Sequence, residues 1–232
     1  MGYEFDFSAV LTDQYIDWLL AGIRVTLLLA AGAWVLAFVL GTTLAVLRAT
    51  GFRPAVWFVS IFVEIHQNIP LLVQILFWYF AMPEVLPEAW REWLNRNNSE
   101  FILAMIAIAL CHAAYISEAL RSGLRAVPVT QYEAGRSFGF NYIQTMSYIV
   151  VPQALRLSIP PLVNHSLLLF KNTSIAIAIG VHELTYQTRQ IDSDTFRTFE
   201  IFLVATGLYL LLSFIIMAVG NLAERRLSMR VR

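Results

Sequence analysis

Five long apolar stretches constrain this chain more than any other feature of its sequence. Crossing a bilayer takes about 20 residues of helix, and each stretch is long enough. Hydrophobic residues make up 58% of the 232 residues and charged residues only 14%, which excludes an ordinary soluble domain. The sequence therefore predicts an all-α, polytopic membrane protein with one transmembrane domain over residues 1–232. The predicted spans are 18–47, 55–82, 101–120, 157–181 and 199–222.

Charges are distributed unequally between the two ends of the predicted spans. Ten of the sixteen basic residues follow spans one, three and five, where Glu133 and Glu224 are the only acids. The opposite end carries five arginines and twelve acids. Because cytoplasmic loops carry the basic excess, we expect the N-terminus outside and the C-terminus in the cytoplasm. The connection 125–155 is then cytoplasmic.

This connection contains a short helix with its own start and stop signals. Thr130 and Glu133 fit the S/T-x-x-E capping box, and Gly139 can adopt the left-handed conformation that ends a helix. Such a helix has only about two turns and is marginal in water by itself. Its small residues Ala134 and Gly135 allow close approach of another surface. The pattern predicts a docking element for another protein.

A second helix start follows within the same connection. Asn141 and Gln144 have the spacing of a capping pair, and Pro152, which lacks a backbone N–H, is predicted to end that segment. The connection is therefore predicted to fold as two short helices between spans three and four.

Polar residues interrupt the second and fourth apolar stretches at mid-membrane depth. Pro70 is expected to break the second, and Pro160, Pro161 and an unwound turn after Lys171 the fourth. Such breaks are tolerated only where protein or a watery cavity satisfies the freed backbone groups, and many transporters build a substrate site in this way. The candidate substrate-pathway residues are Asn68, Pro70, Gln74, Glu118, Asn164, Lys171, Asn172, Thr173 and Ser174.

Two charged residues within the spans have alternative interpretations. Lys171, the only lysine, costs about 2.5 to 3.5 kcal/mol inside an apolar span. It either binds a substrate carboxylate or forms an internal ion pair with Glu64 or Glu118. Glu118 could bind a substrate ammonium group, but pairing with Arg121 or Arg125 one turn away is favoured.

Motifs of enzymes and metal sites are missing from the sequence. The chain contains no G-x-S-x-G, H-E-x-x-H or G-x-x-x-x-G-K-[ST] pattern. His66, His112 and His165 lack metal-ligand spacing, so no metal site is predicted. We expect a protein that is not an enzyme, binds no cofactor and no nucleic acid, and depends on another polypeptide for any use of ATP.

The docking segment resembles a known family pattern. Glu133, Ala134 and Gly135, followed by Gly139 and by the I-x-V-P segment that ends at Pro152, are similar to the EAA loop of ABC importer permeases, E-A-A-x3-G-x9-I-x-L-P. The chain departs from it with glycine for the second alanine and Val151 for leucine.

Four further blocks extend the resemblance over about residues 18–225. HQNIPLLVQ, AYISEALRSGL, VPQALR and KNTSIA resemble the polar amino acid permeases, related to histidine and glutamine permeases. His66 and Gln67 stand where that branch usually has arginine and a small residue. The segment WYFAMPEVLPE, from Trp78 to Glu88, further resembles glutamate and aspartate permeases.

The resemblance implies a five-helix permease of the type I ABC importer fold in the bacterial inner membrane. Its expected partners are a second permease subunit, identical or sibling, two ATPase subunits that bind ATP and Mg²⁺, and a periplasmic or lipid-anchored solute-binding protein that delivers an amino acid. The positions implied to couple the permease to the ATPase are Glu133, Ala134, Gly135, Gly139 and Pro152.

Two alternatives from other classes remain at this stage. An ion-coupled secondary transporter could also use broken spans, although it would need repeat symmetry and no block recurs convincingly. A non-transporting scaffold or sensor could use the docking helix to recruit a partner, although it has little reason to bear the cost of polar breaks.

Overall fold

The computed structural model describes residues 4–227, in which helices are joined by short connections and no strand occurs. Arg230 and Arg232, which contribute to the predicted basic excess, lie outside the described residues. Nine helices follow one another in the described part of the chain. They are α1 Asp13–Ala49, α2 Arg53–Asn68, α3 Leu71–Val85, α4 Glu88–Arg96, α5 Ser99–Ala126, α6 Val129–Ser137, α7 Tyr142–Ile179, α8 Leu184–Thr195 and α9 Thr198–Leu227.

Four of these helices, α1, α5, α7 and α9, are long and apolar enough to cross a membrane. Helices α2 and α3 are long and apolar enough only when they are taken together, and they are bent by 106° at a short break. The prediction of an all-α protein with five spans is confirmed when this bent pair is counted as one span.

Helices α1 and α5 pack closely through small side chains. Ala33, Ala37 and Gly41 are buried at intervals of four residues along α1, so they share one face. A Cβ atom on Gly41 would lie only 2.8 Å from the side chain of Ile116. Small residues permit such close approach between membrane helices, where dispersion contacts replace the hydrophobic effect.

The prediction that prolines break the fourth stretch is wrong. Helix α7 continues through Pro152, Pro160 and Pro161. A π-helical turn over Met146–Val150 precedes Pro152. In this turn the Val151 N–H donates to the carbonyl of Met146, five residues earlier, whereas an α-helix would use the carbonyl four residues earlier. Further along, the buried Ser158 donates to the Ala119 carbonyl of α5, and membrane helices tolerate proline where neighbouring helices and side chains compensate for the lost hydrogen bonds.

Helix α7 narrows near its end, as the sequence predicts for the segment after Lys171. Residues Thr173–Ile179 form a 3₁₀ helix, and Gly180 ends it with φ at +83°. The N-cap residue of the following helix α8 is Glu183, whose buried carboxylate accepts hydrogen bonds from the Thr185 and Tyr186 N–H groups at 2.9 Å each.

Candidate functional site

Helix α6, which the sequence predicts to be a docking element, starts earlier than expected. Pro128 is its N-cap residue, and no side chain caps the helix. The predicted capping box of Thr130 and Glu133 is therefore wrong. Since the proline ring already fixes a φ compatible with a helix start, the helix begins at Val129 and both predicted capping side chains are exposed on its surface.

The end of α6 follows the prediction for Gly139. This residue has φ at +78°, and its N–H bonds the Arg136 carbonyl at 2.9 Å while the Phe140 N–H bonds the Gly135 carbonyl at 3.0 Å. The two bonds form a Schellman motif, which satisfies carbonyls that the helix end leaves free. The helix has 9 residues, in agreement with the predicted two turns.

The second start is also confirmed. The Gln144 N–H donates to Asn141 Oδ1 and the Asn141 N–H donates to Gln144 Oε1, each at 2.9 Å. This capping box begins α7 directly after the α6 turn. Pro152 does not end that segment, since α7 runs through it.

The inner side of α6 packs on the start of α7, and its surroundings expose large apolar side chains. Gly135 is buried against Thr145, and a Cβ atom at this glycine would lie 2.7 Å from the threonine side chain. Ala134, next to it, is half-buried. The exposed apolar and aromatic residues near α6 are Val129, Phe138, Tyr142, Ile143 and Tyr148, each 68–79% exposed. Exposed apolar side chains of this size are suited to contact with another protein.

Buried side chains of Gln74 and Cys111 contact the backbone carbonyls at the break between α2 and α3. Ile69 is extended and Pro70 begins α3, so nearby carbonyls lose their helical donors. Gln74 Nε2 donates to the His66 carbonyl at 3.0 Å and to the Ile69 carbonyl at 2.8 Å. Asn68 lies exposed and bonds only the Glu64 carbonyl. The geometry gives Gln74 a structural function at this break.

Lys171 and Ser174 line a cavity of about 390 Å³ between α7, α8 and α9. Lys171 has no ion-pair partner among residues 4–227, so the internal pairs with Glu64 and Glu118 that the sequence allowed are absent there. The cavity walls combine one cation, several hydroxyl groups and apolar side chains. Its other lining residues are Thr185, Thr188, Phe202, Ala205, Thr206, Tyr209, Leu210 and Ser213.

The remaining candidate residues of α7 do not line this cavity. Thr173 is buried and donates to the Phe170 carbonyl at 2.7 Å. Asn172 Nδ2 lies 3.4 Å from His112 Nε2 on α5. Asn164 lies earlier in α7 and is exposed. The structure thus brings together only Lys171 and Ser174 of the predicted pathway residues.

Glu118 belongs to an ion-pair network at the end of the bundle that carries α6. It accepts from Arg48 Nη1 of α1 at 2.5 Å and from Arg121 Nε at 2.9 Å. The favoured prediction of pairing with Arg121 is confirmed. The bond to Arg48 is additional, because sequence separation hides the contact between α1 and α5.

Sequence reasoning missed the hydroxyl residues of α8 and α9 that complete the Lys171 cavity. Thr185 and Tyr209 lie 2.9 Å apart at their hydroxyl oxygens, and Tyr209 also donates to Glu183 at 2.8 Å. Thr185 and Thr188 are three residues apart, which places them on one face of a helix. This spacing could have indicated a helix with a hydroxyl-bearing face, but the segment between the fourth and fifth predicted spans was expected to be a loop.

Comparison with known proteins identifies the family. Residues 37–229 match the family described as binding-protein-dependent transport system inner membrane component. The chain belongs to this family. A member of a permease family is a transport subunit of the inner membrane with several spans, and not an enzyme.

Individual relatives extend over nearly the whole chain. It is 31% identical over 219 residues to the glutamate/aspartate import permease protein GltJ of Escherichia coli strain K12, covering 93% of this chain and 89% of GltJ. It is 35% identical to the probable glutamine ABC transporter permease protein GlnM of Bacillus subtilis strain 168, covering 93% and 94%.

Solved structures share the fold. A crystal structure of an amino acid ABC transporter with histidines has a TM-score of 0.85 at 28% identity and covers 97% of this chain and 100% of its own. An inward-facing structure of the MetNI methionine ABC transporter has a TM-score of 0.72 at 17% identity, covering 94% and 100%. The fold is that of a type I ABC importer permease, as the resemblance implied.

Proposed function

We propose that this chain is the permease subunit of an ATP-driven, binding-protein-dependent amino acid importer. The observation that carries the proposal is the similarity, over more than nine-tenths of the chain, to permeases whose names specify amino acids. An amino acid ABC transporter also has the same fold at a TM-score of 0.85. A partner ATPase binds ATP and Mg²⁺ and supplies the energy.

Helix α6 is the element through which the ATPase acts. The proposed coupling residues are Glu133, Ala134 and Gly135 of α6, Gly139 in the turn that follows it, and Pro152 within α7. Support comes from the exposed apolar residues around α6 and from its connection to α7 through a rigid turn capped on both sides. Movement of α6 would therefore be transmitted to a helix that crosses the membrane.

Transport proceeds by alternating access in this proposal. ATP binding draws the two ATPases together, the coupling helices move with them, and a site within the membrane opens outward to receive an amino acid from the solute-binding protein. Hydrolysis returns the site to the inward-open state. A second permease subunit, identical or sibling, completes the pathway, with the N-terminus outside and the C-terminus in the cytoplasm.

Glutamate and aspartate are the proposed substrates. GltJ and GltK, both named as glutamate/aspartate import permeases, cover nearly the whole chain at 31% and 30% identity. The cavity that contains Lys171 and several hydroxyl groups is suited to a carboxylate, because an ammonium group and hydroxyl donors complement its charge and acceptors. Asn68, Pro70, Gln74, Glu118, Asn164, Asn172 and Thr173 lie elsewhere and are proposed to shape the pathway.

Glutamine is the second candidate substrate. GlnM and GlnP of Bacillus subtilis strain 168, both named as probable glutamine permeases, are 35% and 33% identical to this chain. These identities are similar to those of GltJ and GltK, so overall similarity alone does not decide between an acid and its amide.

Purification with the products of neighbouring genes, followed by ATPase assays with a panel of amino acids, tests the proposal. We expect glutamate and aspartate to stimulate hydrolysis in the presence of the binding protein. Stimulation by glutamine alone would contradict the acidic substrate and leave the importer intact. A complete complex that no amino acid stimulates, but that moves solute with an ion gradient, would contradict the importer.

A further inference from the structure

An arginine-lined cavity lies behind α6, and the proposed transport function assigns it no ligand. It occupies about 590 Å³ between the end of α1, the start of α2, the end of α5 and α6. Arg48, Arg121 and Arg125 line it. We refer to it as the arginine cavity.

The charges of the arginine cavity are incompletely balanced. No acidic side chain lines it, and Glu118, which pairs with Arg48 and Arg121, supplies one negative charge to three guanidinium groups. Arg125 is exposed and has no ion-pair partner in the described part of the chain. A net charge of about two positive units is therefore left for an external anion, and guanidinium groups match phosphate oxygens particularly well.

The apolar part of the cavity favours a lipid over a free anion as its ligand. Ala45, Val56, Leu124 and Met146 line it beside the arginines, and α1 and α5 are membrane-spanning helices that end here. An inorganic ion would leave these apolar walls unused. A phospholipid places its phosphate at the helix ends and its hydrocarbon against the spans, and basic pockets between membrane helices are suited to anionic headgroups.

We infer that the arginine cavity binds the phosphate headgroup of an anionic phospholipid. Val129 and Tyr132 of the docking helix also line the cavity, as does Tyr142 at the start of α7. A bound headgroup thus contacts the helix that is proposed to meet the ATPase, and it stabilises that helix against the ends of α1 and α5.

Native mass spectrometry of the full chain in detergent tests this inference. The chain is titrated with phosphatidylglycerol, with phosphatidylcholine, and with inorganic phosphate in the absence of anionic lipid. Arg125→Gln removes the arginine that pairs with nothing in the described chain, and so leaves the Glu118 network intact. Arg156→Gln is the matched control, because Arg156 is also exposed at the same end of the bundle but does not line the cavity.

We expect retention of phosphatidylglycerol and not of phosphatidylcholine. Arg125→Gln should weaken retention about fivefold, since a basic residue near an anionic lipid surface contributes about 1 kcal/mol. Arg125→Lys should retain most of the affinity and Arg156→Gln all of it. Thermal unfolding in micelles should shift upward with phosphatidylglycerol, and less so in Arg125→Gln.

Three outcomes would overturn the inference. Equal losses in Arg125→Gln and Arg156→Gln would indicate general surface electrostatics. Equal retention of the two lipids would exclude headgroup recognition. Saturable binding of inorganic phosphate that prevents phosphatidylglycerol from binding at the same residues would assign the cavity to a free anion.

Discussion

Gly135 of α6 packs directly on Thr145 of α7, with space for a hydrogen atom but not for a methyl group. A Cβ at this glycine would lie 2.7 Å from Thr145 Oγ1 and Cγ2, and 3.2 Å from Ile149 Cδ1. This contact gives a physical reason for the glycine that stands where the EAA pattern has its second alanine.

Gly135→Ala is therefore expected to destabilise the protein although alanine is the better helix former. The propensity gain is about 1 kcal/mol, whereas overpacking a buried contact costs about 1–3 kcal/mol, and Thr145 is β-branched and stiff. Thermal unfolding in detergent measures the difference. Adding Thr145→Ala should restore stability. The control is Gly207→Ala, at a helical position where an added Cβ atom would have no neighbour within 4 Å; this variant should leave stability unchanged or raise it. Equal effects of the two glycine substitutions on stability would contradict the close contact at Gly135.

Gln74→Leu is expected to destabilise the broken span. The change removes the donors to two carbonyls at the break, and an unsatisfied buried polar group costs about 1–3 kcal/mol. The matched control is Asn68→Ala, which removes an exposed side chain bonded to the Glu64 carbonyl and should have little effect. The comparison is made by chemical denaturation in micelles. If both variants unfold at the same denaturant concentration as the parent, Gln74 does not hold the break.

The broken span also shows what sequence could predict. Pro70, followed by an apolar half-helix, is a local signal, and the break occurs where it was expected. Pro160 and Pro161 carry the same local signal, yet α7 is continuous there and packs on α5, a contact between distant segments that is not visible in sequence. Local helix propensity therefore predicts the break at Pro70 correctly and fails at Pro160 and Pro161.

At the candidate sites, too, features that depend on neighbouring residues could be predicted, whereas features that depend on distant segments could not. Gly139 and the Asn141–Gln144 capping box depend on neighbours within a few residues, and the structure contains both. The Lys171 cavity depends on α8 and α9, and the pairing of Glu118 with Arg48 depends on α1. Neither combination could be inferred from sequence spacing.

Glu183 should make stability depend on pH. Burial raises the pKa of its carboxyl above the ordinary value, against the lowering effect of the Thr185, Tyr209 and Tyr186 hydrogen bonds. The folded protein then holds this proton to higher pH than the unfolded chain, so its contribution to stability is full at low pH and is lost as pH rises through the folded pKa.

Glu183→Gln removes that loss. Relative to the parent, the variant should gain in melting temperature as pH rises from the ordinary carboxyl pKa through the raised pKa of the folded protein. Thr195→Ala, elsewhere on α8, controls for a general effect of helix α8 and should show the parent's pH dependence. A melting-temperature difference between Glu183→Gln and the parent that is independent of pH would contradict a raised pKa.

Lys171→Met is expected to raise the amino acid concentration needed for half-maximal stimulation of ATP hydrolysis, and to leave basal hydrolysis unchanged. Losing a charge-assisted hydrogen bond of about 1.5–3 kcal/mol corresponds to roughly a 10- to 150-fold increase. Lys171→Arg keeps the charge, so its half-maximal amino acid concentration should lie between those of the parent and of Lys171→Met. An unchanged concentration dependence in Lys171→Met would show that the ammonium group does not contact the substrate.

The central claim is that α6 contacts the ATPase, and site-directed crosslinking of the purified complex tests it most directly. The only native cysteine, Cys111, is buried, so a reagent that joins thiols to amines reacts at an introduced cysteine. Glu133→Cys should crosslink to the ATPase, and Glu84→Cys, at the opposite end of the bundle, should not. Crosslinking from position 84 with none from position 133 would contradict the account.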